Sequence, residues 1–266
     1  NWDSIPIPFM PRSINQMTSL QMPSKQVLFC DFDGPIVDVS ERYYRTYRLG
    51  LSTLQASHQK HHAEALPLQI LSKNQFWWMK RNRVADTDIA IRSGVPANLV
   101  DSLLQQVQRI VNHPHLLQWD TLQPGADTAI HQLKHMGIRL VLVTLRHPRQ
   151  VQAFLQANDL SQYIDEIFGA SDINAAHLNR AEQKVALLER AIATQKAQGY
   201  QTSPTCMIGD TEADIIAGQQ AGIITIALTN GIRSHDFLKR YQPTEIESTL
   251  LKAVQSRNMT QALQVA

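Results

Sequence analysis

Val27-Leu28-Phe29-Cys30-Asp31-Phe32-Asp33-Gly34-Pro35-Ile36-Val37-Asp38 runs four apolar residues into two acids one residue apart, and then into Gly-Pro. An apolar run of this length, rich in Val and Phe and stopped by turn residues, reads as a short strand buried on both faces. Asp31 and Asp33 then stand at its carboxyl end. In open α/β sheets ligands bind in the crevice outside the carboxyl ends of the strands, so both carboxylates are delivered where a site begins. An Asp-Gly turn that merely ends a strand accounts for the same letters. The rest of the chain decides between the two.

Past Gln123-Pro124-Gly125, helical and short apolar segments alternate. A helix is expected from about 126 to 136, ending at Gly137, then a strand over 138–143 that ends at Thr144. A helix over 150–157 leads to an apolar run at 164–168, and a long helix over 180–198 leads to a strand at 205–208 that ends at Gly209-Asp210. A helix over 212–221 and a strand over 223–228 follow. This rhythm predicts a parallel sheet with right-handed crossovers. Residues 38–119 differ: they carry amphipathic helical patterns and no strand signal, clearest at 96–111, where Pro96 opens the first turn. The expected class is α/β, a Rossmann-like parallel-sheet core (25–37 and 120–266) with an inserted all-α cap (38–119). Residues 1–24, rich in Pro and Ser without periodicity, read as an extended tail.

A chain of 266 residues with 43% hydrophobic content can bury a real core. Its net charge of +2 comes from scattered Lys and Arg, so no nucleic-acid partner is expected. Cys30 and Cys206 both fall in expected buried strands, which suits a reducing compartment rather than a disulfide framework. No stretch reads as a membrane span or a secretory leader, and the expectation is a cytoplasmic protein with no membrane partner. Nothing in the sequence sets an oligomeric state.

Three expected strand ends carry matched polar residues: Asp31 with Asp33, then Thr144, then Asp210 with Asp214 just beyond. The helix before the last of these strands adds Lys184. Carboxylates gathered at one sheet edge raise each other's pKa unless positive charge sits among them. Mg²⁺, a hard cation that takes a couple of carboxylates, water and a substrate phosphate, suits the set. Asp31, Asp33, Asp210 and Asp214 are the candidate ligands, with Asp214 alternatively a support for Lys184. Given a phosphate monoester, Asp31 can attack phosphorus, Lys184 and the metal can neutralise the phosphoryl oxygens, and Thr144 can donate to them. Asp33 can protonate the leaving alcohol and then activate water. Gly34 and Arg146 are candidate substrate contacts.

In order, Asp31-Phe32-Asp33-Gly34-Pro35-Ile36-Val37-Asp38, the strand ending at Thr144, Lys184, and Gly209-Asp210-Thr211-Glu212-Ala213-Asp214 resemble the four motifs of the haloacid dehalogenase-like (HAD) hydrolases. The plan is similar to their phosphoglycolate phosphatase and β-phosphoglucomutase branch, whose helical cap follows the first strand. The resemblance spans about residues 25 to 238. It implies a Mg²⁺-dependent phosphatase acting on a small-molecule phosphate ester through an aspartyl-phosphate. It also implies that the first aspartate is the nucleophile, that the second lends its backbone carbonyl to Mg²⁺, and that the cap selects the substrate. A phosphosugar mutase of the same fold shares the intermediate, and a catalytically silent HAD-fold binding protein shares the architecture. Dehalogenase and phosphonatase readings are disfavoured by Asp33. Pro35 stands where Thr or Val is usual, and its missing N–H points to altered flap geometry. Leu145 and Arg146 replace the Asn often found after the motif Thr, and Val185 follows the lysine where Pro is frequent.

In the cap, residues 76–83 mix aromatics with Lys80, Arg81 and Arg83. They could receive a sugar or nucleotide phosphate, but the expected reading is a helix that packs its aromatics and solvates its cations. His58, His61 and His62 read as an exposed polar segment, and His113-Pro114-His115 as a loop near the cap hinge.

Overall fold

The opening apolar run forms β1 (Val27–Cys30), buried along its whole length. The computed structural model describes residues 25–62 and 64–263, so the expected tail lies outside the described residues. Alternate side chains of β1 point to opposite faces. Leu28 and Cys30 join one apolar cluster with Ile130 and Leu133, while Val27 and Phe29 join another with Leu188 and Ala191. Helices therefore cover both sheet faces, which is why the strand reads as an unbroken apolar run.

A short strand β2 (Val37–Asp38) pairs antiparallel with β3 (Thr121–Leu122) where the chain leaves the core and returns to it. Beyond lie β4 (Arg139–Thr144), β5 (Glu166–Gly169), β6 (Cys206–Gly209), β7 (Ile224–Leu228) and β8 (Glu245–Glu247). The main sheet has six strands in the order β5-β4-β1-β6-β7-β8, and every pair in it is parallel. After β4 the chain steps outward to β5, then crosses back to the far side of β1. That makes β1 the switch point, where the crevice of a doubly wound sheet opens. Cys30 pairs with Leu142 on one side and Ile208 on the other, so the ends of β4, β1 and β6 share one rim. Neighbouring strands lie about 4.8 Å apart, and this order sets Thr144, Asp31 and Asp210 side by side.

Between β2 and β3 the cap consists of α1 (Ser40–Gln59), α2 (Lys73–Arg81), α3 (Asp86–Arg92), α4 (Val100–Ile110) and α5 (Pro114–Leu117). The helix expected over 96–111 starts as a tight turn at Ala97–Leu99 before α4 proper. Ser72 and Gln75 form a capping box that starts α2. The core helices are α6 (Ala126–His135), α7 (Pro148–Ala157), α8 (Ala175–Leu178), α9 (Ala181–Ala197), α10 (Glu212–Gln220), α11 (His235–Lys239), α12 (Leu250–Val254) and α13 (Arg257–Ala262). Pro35 leaves no bond unmade: the turn after β1 is closed by N–H groups of Gly34, Ile36 and Val37. No described helix is long and apolar enough to cross a membrane.

Candidate active site

Lys184 is the hub of the rim. It lies in the first turn of α9, is 1% exposed, and donates to the Val143 carbonyl at 3.1 Å. Its Nζ sits 2.8 Å from Asp31 Oδ2 and 2.8 Å from Asp214 Oδ1. Burial alone would strip the proton from such an amine, but the Asp214 and Asp31 carboxylates outweigh it and hold the ammonium well above the usual lysine range. Arg180, the other cation near this point, is exposed. Asp214 Oδ2 accepts from the Thr211 N–H (3.0 Å), the Thr211 hydroxyl (2.8 Å) and the Asp210 N–H (3.2 Å), closing a capping box on α10. Asp214 thus spends one oxygen on the turn and the other on Lys184.

Asp31 Oδ1 accepts from the Phe32 N–H at 2.7 Å. Burial pushes its carboxyl up to about 7, Lys184 pulls against that, and Asp214 adds to it. Asp210 is also raised well above the carboxylate range, first by burial and then by Asp214 and Asp31. Its Oδ2 accepts from the Ile232 N–H, whereas Oδ1 is buried without a partner. A Cβ on Gly34 or on Gly231 would fall 2.0 Å from this carboxylate, and Gly34 has a φ of +93° that favours glycine. Gly34, read from sequence as a substrate contact, packs against Asp210 instead.

Asp31, Asp210 and Asp214 place oxygens within 4.8 Å of one another. The heart of the site holds the carboxylates of Asp31, Asp33, Asp120, Asp210 and Asp214 against the cations Lys184, Arg42 and Arg146, a formal excess of two negative charges. An all-oxygen donor set, an orphaned buried Oδ1 and an excess of two negative charges fit a hard divalent cation. The metal role that the resemblance implies for Asp33 falls on its backbone carbonyl, and the Asp33 carboxylate is not in this group.

It turns instead to two arginines. Asp33 Oδ2 accepts from Arg146 Nε at 3.2 Å and lies 3.5 Å from Arg42 Nη2, while Oδ1, 3.0 Å from the same Nε, makes no hydrogen bond. Both arginines also grip Asp120, Arg42 Nε on Oδ1 at 2.8 Å and Arg146 Nη2 on Oδ2 at 2.7 Å. Arg42 belongs to the cap, Asp120 to the returning hinge and Arg146 to the loop after β4. Arg146 is 2% exposed, so its guanidinium holds Asp33 rather than facing open space as a substrate contact. Burial disfavours its charge, yet Asp33 and Asp120 raise its pKa further above the usual range. Thr144 lines the cleft, its Oγ1 accepting from the Arg146 N–H at 3.2 Å.

The cleft over Asp31 is roofed by cap and core together, and Tyr43, Lys80, Arg83, His177, Asn179 and Arg233 complete its wall. This corrects the reading of residues 76–83. Phe76 and Met79 are buried as expected, but Trp78 is 61% exposed and Lys80 and Arg83 face the cleft. Their end of α2 is fastened to the core: Arg81 donates to the Thr229 carbonyl, Arg233 to the Lys80 carbonyl, and the Ser234 hydroxyl to Asn82. Glu212 gathers Arg233 (2.8 Å), Arg83 (3.2 Å) and Asn179 (3.2 Å) at the mouth. His58 and His62 stack on each other at the exposed end of α1, and His113 caps α5. Arg42, Tyr43, Asp120, His177, Glu212 and Arg233 were not singled out from sequence; each is an ordinary polar letter until the fold supplies its partner.

A family model described as "Haloacid dehalogenase-like hydrolase" matches residues 27–228. The chain is 25% identical over 231 residues to the protein named probable phosphatase IndB from Dickeya dadantii, covering 86% of this chain and 92% of that one. It is also 25% identical over 232 residues to a phosphoglycolate phosphatase from Synechococcus elongatus, covering 86% and 97%. Among solved structures, a haloacid dehalogenase-like family hydrolase from Streptococcus pneumoniae superposes with a TM-score of 0.58 at 18% identity, covering 87% of this chain and 97% of that one.

Proposed function

The chain belongs to the haloacid dehalogenase-like hydrolases and is a phosphohydrolase of that family; from this premise we propose that it hydrolyses a small-molecule phosphate monoester, with Mg²⁺, through an aspartyl-phosphate on Asp31. One observation carries the reading: Asp31, Asp210 and Asp214 bring three carboxylates to one buried cluster against the cation Lys184, beside Thr144, a formal excess of two negative charges that a divalent cation would balance. Asp31 and Asp210 would hold the metal, with the Asp33 backbone carbonyl as the family resemblance implies, and Asp214 keeps Lys184 in place. When bound, Mg²⁺ supplies positive charge that screens the attacking carboxylate from the phosphate.

Asp31 attacks phosphorus as the bond to the alcohol oxygen breaks, and Asp33 gives its proton to that oxygen. Lys184 and the Thr144 hydroxyl, which both line the cleft, would bind the phosphoryl oxygens as charge shifts onto the leaving group. Asp33 then takes a proton from water, whose oxygen displaces Asp31 from phosphorus and releases inorganic phosphate. A cytoplasmic setting, with both cysteines buried and unpaired, goes with this reading. A panel of phosphate monoesters assayed with Mg²⁺ tests it: release of phosphate is expected from the wild type and not from Asp31→Asn. Full activity in Asp31→Asn would overturn the mechanism.

A further inference from the structure

The polar wall of the cleft has a second space behind it. Tyr43, Lys80 and His177 line the cleft and also a small hollow inside the cap, so the two spaces share these three side chains. Tyr47, Phe76, Ile89, Ala90, Leu103 and Leu104 form much of its surface. Beside it the bundle is tight: a Cβ on Gly50 would come within 3.0 Å of Val107 and 3.1 Å of Leu103, pinning α1 to α4. The hollow lies beside Thr46, one turn nearer the hinge.

Several of the polar groups around it are already engaged. The Thr46 hydroxyl donates to the Arg42 carbonyl at 2.8 Å. The Tyr47 hydroxyl pairs with Ser93 at 2.8 Å and accepts from the Leu71 N–H at 3.0 Å. Lys80 is held by Asp86 at 2.7 Å. A polar guest would leave its own groups unpaired there, which is costly, whereas an apolar guest gains from leaving water. One atom stands apart: His177 Nδ1 is buried without a partner on the wall shared with the cleft. Burial, with Lys80 close by, pushes this imidazole down to about 4, so the ring is neutral and offers one donor and one acceptor.

We propose that the hollow receives the alcohol half of the substrate, which makes that substrate the phosphate monoester of an alcohol with an apolar body and one hydrogen-bonding group where it passes His177. This rests on the phosphatase reading above. The ester oxygen stays with Asp31 and Asp33 in the cleft, and the carbon skeleton crosses between Tyr43 and His177 into the cap.

Alkylphosphonates, which keep the phosphate-like head and cannot be hydrolysed, separate this inference from the chemistry. Calorimetry on the full chain with Mg²⁺ is expected to show affinity rising about fourfold per methylene from methyl- to butylphosphonate, the factor that burying a CH₂ supplies. Ala90→Leu and Leu104→Phe, two independent ways of filling the hollow, are expected to flatten the series. A flat wild-type series, or no binding by any member, overturns the proposal. Turnover of p-nitrophenyl phosphate in a parallel assay judges the phosphatase reading by itself.

Discussion

Asp120→Asn keeps the shape of the hinge side chain and deletes its charge. Two buried guanidiniums, Arg42 and Arg146, would then keep Asp33 as their shared carboxylate, from 3.5 Å and 3.0 Å, after losing the charge at 2.8 Å and 2.7 Å on Asp120. Removing one partner from a buried ion pair costs about 3–5 kcal/mol. Retained contact with Asp33 argues for the lower half of that range. For a chain of this size 1 kcal/mol moves the midpoint by about 2–4 °C, so thermal unfolding should fall by roughly 6–16 °C. Adding Arg42→Met should restore part of the loss, because it removes the surplus positive charge. The kinetic consequence depends on the leaving group. Both arginines would crowd Asp33 and keep it from donating a proton, so kcat/KM for an alkyl phosphate should drop on the order of tenfold to hundredfold, within the ~10²–10⁴ a positioned acid supplies. p-Nitrophenolate departs as a stable anion and needs no proton, so kcat/KM for p-nitrophenyl phosphate should change little. Equal losses on both substrates, or an unmoved midpoint, would refute the claim that Asp120 acts on Asp33 through the two arginines.

Mg²⁺ at about 100 times its Kd should stabilise the chain by about 2.7 kcal/mol, seen as a rise in the thermal midpoint, and Asp210→Asn should lose that rise if Asp210 is a ligand. Lys184→Met leaves Asp31 and Asp214 without their shared counter-ion and should cost about 3–5 kcal/mol; Lys184→Met/Asp214→Asn should recover stability but not phosphatase activity, which denaturant melts and a phosphate-release assay together decide. In EDTA, Asp31 titrates at about 7 when folded against an ordinary value near 4. Between those values the folded chain binds more protons than the unfolded one, so stability should fall as pH rises through the window. Mg²⁺ should flatten that slope, and urea midpoints measured across it with and without the metal are the check.

The core was legible because β1, β4 and β6 are each a largely buried apolar run closed by a polar residue, and they deliver those residues to one rim. β8 escaped because Glu245-Ile246-Glu247 offers a single apolar residue, too little to show a period. The hinge pair escaped for the same reason, each strand being two residues long. Lys184 could be preferred to Arg180 only by position, since the choice depends on which turn of α9 faces β4. Buried and bonded to the Val143 carbonyl, Lys184 shows that dependence directly.

Arg146 shows where sequence logic stops. Two residues beyond Thr144, it should project to the same side as Thr144 and meet whatever occupies the cleft. That expectation omits competitors for its charge. Asp33 comes from 113 residues upstream and Asp120 from 26 residues upstream, and Arg42 enters from the cap to complete the square. None of these separations has a period that could betray the contact. Two opposite pairs that lack solvent will find each other before either finds a transient ligand, because an unpaired buried charge costs more than a substrate contact returns. Arg146, two residues past Thr144 in sequence, is thereby committed to holding Asp33, and the wall of the cleft is left to cap residues such as Tyr43 and Lys80.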